Sequence, residues 1–181
     1  MTLVDHFVAM ARNNAWSNYR LLKACEALTP EAFAAPGTSF FPSIRATLNH
    51  ILLVDLYYID ALHDTDALRH YSQPEPDFAD AASLRTVQTA SDKRLIAFCE
   101  AQTEATLDRL WHLPRPNRKP PPSRVANILE HLFQHDIHHR GQAHAMLAGT
   151  QVKPPQLDEF FLAGEEDLRR DELRALGLPQ T

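Results

Sequence analysis

The chain has 181 residues, 44% hydrophobic and 23% charged, which is the composition of one globular domain and excludes a disordered segment. A domain of this size buries about 70% of its unfolded surface and needs no disulfide staple. Eighteen basic against twenty-three acidic residues give a net charge of -5 and no basic stripe, which argues against nucleic acid or an anionic membrane as a partner.

Cys25 and Cys99 lie far apart and form no pattern, as expected in a reducing, cytoplasmic setting. The longest apolar stretch, Ile51 to Ile59, is broken by Asp55 and falls well short of the roughly 20 residues of a membrane span. The opening residues, from Met1 to His6, lack a basic start followed by an apolar block, so no signal peptide is expected.

None of the thirteen prolines falls in segments 3–28, 43–64, 80–104 or 124–148, and of the five glycines only Gly141 does. Proline breaks helix interiors, so these segments are predicted to be helices. Thr2 is placed to cap the first. In the second, Ile44, Leu48, Ile51, Ile59 and Leu62 form one apolar stripe and Val54, Tyr57 and Ala61 another. Asp80 is placed to cap the third. The connector 114–123 holds five prolines and reads as a stiff, extended loop. Ser123 and Gly149 are placed to cap the two ends of the fourth. A short, partly exposed helix is expected within Glu165 to Leu176. No strand pattern is long enough to read. Helices that are apolar on two sides are buried on two sides. The expectation is therefore an all-α four-helix bundle, one domain over 1–181, with leftover apolar surface suited to a homodimer.

Ten histidines are present, and His131, His135, His138, His139 and His144 crowd into the fourth segment. His135 and His139 are four apart, which on a helix stacks them on one face. That face also carries Ile128, Leu132 and Met146, so it points inward. Two imidazoles so placed can grip one metal ion. The alternative is a pair of core-edge rings satisfied by hydrogen bonds. A third ligand must come from another helix. His50, mid-helix beside Thr47, Val54 and Tyr57, is the best placed. His6, His63, His70 and His112 sit at helix ends or loops and read as surface or cap residues. His131 is one turn before His135, either facing a substrate, supporting the ligands or simply packed. His144 points away and reads as exposed or on a dimer surface.

The run from Asn127 to Gln142, NILEHLFQHDIHHRGQ, resembles the signature of the DinB (damage-inducible) superfamily. Three blocks resemble it in order as well: Asn14 to Leu21, Ser39 to Leu52 and Pro154 to Asp158. The likeness spans about residues 5 to 162. It implies a four-helix bundle with an up-down-down-up path, often dimeric. It also implies three histidine metal ligands, which carry over to His50, His135 and His139. Gln134 and Asp136 stand where close relatives often carry Asn and Gln, and neither is a ligand position.

Three neutral nitrogens leave coordination positions open, as in a catalytic rather than a structural centre. Imidazoles suit zinc, nickel, copper or iron, with zinc or nickel expected as the one divalent ion. Such an ion can lower the pKa of bound water or activate a thiolate. Characterised members that the resemblance brings in are thiol-dependent, bacillithiol S-transferases and a mycothiol-dependent maleylpyruvate isomerase. They imply small-thiol-dependent transfer chemistry on a small-molecule substrate. A metal-dependent hydrolase is the alternative, as is a non-catalytic metal-binding or stress-associated bundle. Arg140 is expected to hold a structural ion pair or a substrate carboxylate, and Gly141 to permit close backbone approach. Tyr57 and Trp16 read as core, with a substrate-facing role as the alternative for Tyr57. Asp55 reads as a buried carboxylate paired with Asn18 or Arg20.

Overall fold

The computed structural model describes residues 1–72, 74 and 77–179. Four long helices dominate: α1 (Leu3–Cys25), α3 (Ile44–Leu62), α5 (Ala81–Glu100) and α7 (Val125–Ala148). Shorter ones are α2 (Pro30–Ala34), α4 (Arg69–Ser72), α6 (Glu104–Asp108) and α8 (Glu166–Leu176). The all-α class is as the proline spacing predicts. The caps at Thr2 and Asp80 form, each side chain accepting from the backbone N–H three residues on.

The cap expected at Ser123 does not form. Ser123 and Arg124 make a two-residue strand, β2, antiparallel to β1 (Leu110–Trp111), with Trp111 opposite Ser123. Strand pairing continues into α7, because the Val125 N–H donates to the Arg109 carbonyl at 3.0 Å. That bond satisfies an N–H a cap would otherwise serve. A two-residue ladder is too short to leave an alternation in the sequence.

Side-chain contacts fix the helix directions. α1 runs antiparallel to α5, with Arg12 bonded to Glu100 and Asn18 to Asp92. α3 runs antiparallel to α7, with His50 against His135 and Tyr58 against His131. α1 and α7 are parallel, with Phe7 stacked on Phe133 and Arg140 bonded to Asn18. The core between them is apolar, including Leu21, Ile51, Leu52, Leu84, Leu95, Leu129 and Leu132. Burial of each such side chain stabilises the fold by about 1.5–3 kcal/mol.

The C-terminal segment is docked. Phe160, Leu173 and Leu176 close over Trp16, which is fully buried. The Trp16 indole N–H donates to Glu172 at 2.6 Å, and Arg20 donates to the same carboxylate at 3.0 Å. Among the described residues no helix is long and apolar enough to cross a membrane.

Candidate metal centre

The antiparallel contact of α3 and α7 brings three imidazoles together. His135 and His139 lie one turn apart with ring centroids 4.4 Å apart. His50 of α3 faces both, at 5.1 and 4.9 Å. One ring nitrogen from each of the three lies within 4.8 Å of the others, and the Nε2 atoms of His50 and His135 are 3.1 Å apart. An ion held tetrahedrally at 2.0–2.1 Å from nitrogen needs its ligand atoms about 3.4 Å apart. The His50–His135 spacing is close to that value, and all three nitrogens lie near enough to close on one ion by side-chain movement.

The outer ring nitrogens already have partners. His139 Nδ1 lies 2.8 Å from Gln142 Oε1, and His135 Nδ1 lies 3.3 Å from Asp136 Oδ1. Both partners are oxygens that accept, so each Nδ1 donates outward and Nε2 is the nitrogen left for the cluster. Burial, followed by the neighbouring His135 and His139, pushes the His50 pKa down to about 4. Burial also lowers that of His139. These rings are neutral near pH 7, the form that binds a metal.

A loop covers one side. The Gly37 N–H donates to the Pro42 carbonyl at 2.8 Å. Gly37 lies so close to Met146 that a Cβ would come within 2.7 Å of its sulfur, so only glycine fits there without displacing Met146. The closed loop sets Phe41 against His50 at 4.3 Å and His139 at 5.4 Å. On the other side a cavity of about 370 Å³ opens, lined by His50, His135, His131, Tyr57, Tyr58 and Arg115 among others.

The DinB family profile matches residues 3–170. The chain belongs to the DinB family. Protein DinB of Bacillus subtilis (strain 168) is 25% identical over 139 residues, covering 74% of this chain and 80% of that protein. The crystal structure of a DinB-like protein from Bacillus subtilis shares the fold, with a TM-score of 0.56 at 19% identity over 87% of this chain and 97% of the other.

In this DinB-family chain a second polar cluster lies inside the bundle, beneath the histidines. Arg140 is only 4% exposed. It donates to Asn14 and, at 3.0 Å, to Asn18. Asn18 donates to Asp92 at 3.0 Å. Gln88 donates to Asp92 at 3.2 Å and to Asp55 at 2.6 Å. Asp55 is therefore paired through α5, not with the Asn18 or Arg20 that its helix position suggested. Burial, then the Asp136 and Asp92 charges, raise the Asp55 pKa well above the usual carboxylate range. Interaction with Asp136 also favours its protonated form. Asp136 thus touches both clusters.

The remaining sequence-selected residues divide clearly. His131 is exposed, packs its ring against Tyr58 at 5.5 Å and lines the cavity. Tyr57 lines it too, its hydroxyl donating to the Pro114 carbonyl at 2.7 Å. His6, His63 and His112 are exposed. His70 is held by buried Asp60 at 2.8 Å. His144 is half-buried, 2.8 Å from the Pro155 carbonyl, rather than free on the surface. Gly141 is exposed, with nothing within 4 Å of where a Cβ would stand, so no backbone approaches it. Sequence reasoning missed Phe41 and Arg115, both on loops. It also passed over Asp136 as a support for His135, although a carboxylate beside a candidate ligand is a readable signal.

Proposed function

We propose that this chain is a metal-dependent enzyme. It holds one divalent transition ion, zinc or nickel first, on His50, His135 and His139, and works on a small molecule with the help of a low-molecular-weight thiol. The observation that carries this is the convergence of three histidine ring nitrogens beside a cavity of about 370 Å³. When bound, the ion would supply Lewis acidity, lowering the pKa of a coordinated thiol or water.

The chain's own groups set the stage. Asp136 and Gln142 hold the ligand rings in the tautomer that turns Nε2 inward. Phe41 excludes water from one side. Tyr57, Tyr58 and His131 line the space a substrate would fill. A thiol would come from solution. Cys25 and Cys99 are buried, and burial pushes both thiols up to about 12, so neither is a nucleophile at neutral pH.

Elemental analysis tests the centre. Native protein should carry one divalent ion per chain and His139→Ala far less; equal content in both would overturn the reading. Titrating cobalt-substituted protein with small thiols should give a sulfur-to-metal absorption band. No band at millimolar thiol would leave metal-dependent hydrolysis as the reaction class.

A further inference from the structure

The cavity beside the histidines is also lined by a cation, Arg115. Arg115, on the proline-rich loop between β1 and β2, lines the same space as His50 and His135. Its guanidinium sits 4.6 Å from the Tyr57 ring centre, 5.7 Å from Tyr71 and 5.9 Å from Tyr58. It donates to the Tyr71 hydroxyl and, at 3.3 Å, to that of Tyr58. Three aromatic faces therefore hold the cation in place.

Among the described residues this arginine has no carboxylate counter-ion. Arg69 and Arg94, by contrast, both pair with Asp60, at 2.7 and 2.6 Å. Arg115 pairs with no carboxylate among the described residues. A guanidinium has five N–H donors, and the tyrosine hydroxyls do not use them all. The loop is also tied down. Pro114 and Pro116 flank Arg115, and the Pro114 carbonyl accepts from Tyr57 at 2.7 Å. A cation so fixed can receive a planar anion with little further ordering. Arg118 and Lys119, exposed on the same loop, add positive charge near the cavity in a chain whose net charge is -5.

We infer that the cavity takes a small molecule bearing an oxyanion, which Arg115 receives while the opposite end of the molecule faces His50 and His135. This rests on reading the cavity as the substrate site of the proposed metal centre. The rest of the lining is Leu53, Val54, three tyrosines, His70 and His131, which suits a ligand whose body is apolar or aromatic. The volume suits a small metabolite rather than a peptide or a polymer. A carboxylate and a phosphate ester share the recognised chemistry.

The test uses the full chain, metal-free and zinc-loaded, titrated calorimetrically with phenylacetate, phenylacetamide and phenyl phosphate. Phenylacetate should bind about tenfold or more tightly than its uncharged amide in both forms, as expected for a charge-assisted bidentate contact. Arg115→Gln should remove that preference, and Arg115→Lys should retain part of it, with thermal unfolding confirming that both variants fold. Tighter binding of phenyl phosphate than of phenylacetate would support the oxyanion site and identify its anion as a phosphate ester. Equal affinity for acid and amide, or an unchanged preference in folded Arg115→Gln, would overturn the inference. Zinc content of the same samples reads the metal centre separately. A retained acid preference without zinc uptake would fail the centre alone, and zinc uptake without the preference would fail this site alone.

Discussion

Two polar clusters sit within one turn of each other on α7, and they are built in opposite ways. The histidine cluster faces a cavity, and its inward nitrogens find only one another. The cluster around Arg140 is sealed, with Asn14, Asn18, Gln88, Asp55 and Asp92 joined by hydrogen bonds and all nearly unexposed. A sealed network of this kind contributes to the choice of one helix arrangement, because every alternative strands a buried charge. An incomplete cluster beside a cavity is arranged for something that comes from outside. The two meet at Asp136, which is fully buried, with Oδ1 near His135 and a side-chain interaction with Asp55 that favours the protonated form of that acid.

The sharpest way to break this contrast is Arg140→Ala. Removing one member of a buried charged network costs about 3–5 kcal/mol, so chemical denaturation should show a loss of that size, while metal per folded molecule stays near that of the native protein. A loss below about 1 kcal/mol would show that the cluster is not a structural keystone. A smaller effect is expected for Asp136→Asn. It keeps an oxygen near His135 but loses the charge, and loss of such an outer partner typically weakens metal binding about 10–100-fold. Competition against a chelator measures it, and unchanged affinity would separate the two clusters entirely.

The smallest effect is a pH dependence confined to the sealed side. Burial pushes the Asp92 pKa up to about 7, with Asp136 raising it further and hydrogen bonds from Asn18 and Gln88 and the charge of Arg140 opposing. Asp55 is raised as well. A carboxylate whose folded pKa lies above its unfolded value of about 3.9 stabilises the fold fully below that unfolded value, and the contribution is lost as pH rises through the folded pKa. His50 and His139, whose folded values burial lowers, act in the opposite sense below about pH 6.5, so the reading is a difference between two metal-free proteins. From about pH 5 to about pH 8 the native protein should lose thermal stability relative to Asp92→Asn, and a constant difference across that range would place the origin elsewhere.

Much of the candidate centre was legible in the order of residues. His135 and His139 share a face by helical spacing, and His50 was the histidine best placed mid-helix on another segment. The four long helices, the caps at Thr2 and Asp80 and the docked helix after Glu165 followed from proline, glycine and polar residues at fixed offsets. Asp55 shows where this reading ends. Its burial was expected from the apolar stripe, but its partner Gln88 lies on α5, and no local pattern says which helix packs against which. Gly141 shows the same limit: its place in a helix was clear, while the open space beside it was not.

Linear order alone determined the helices, their inward faces and the identity of the candidate metal-ligating side chains, because these depend on rotation about one axis and on local backbone chemistry. Tertiary structure alone decided that α3 opposes α7, that Phe41 packs against His50 and that Arg115 lines the same cavity as His50 and His135. Those contacts join residues distant in sequence, and their geometry is set by how whole helices and loops pack, which no short window of residues encodes.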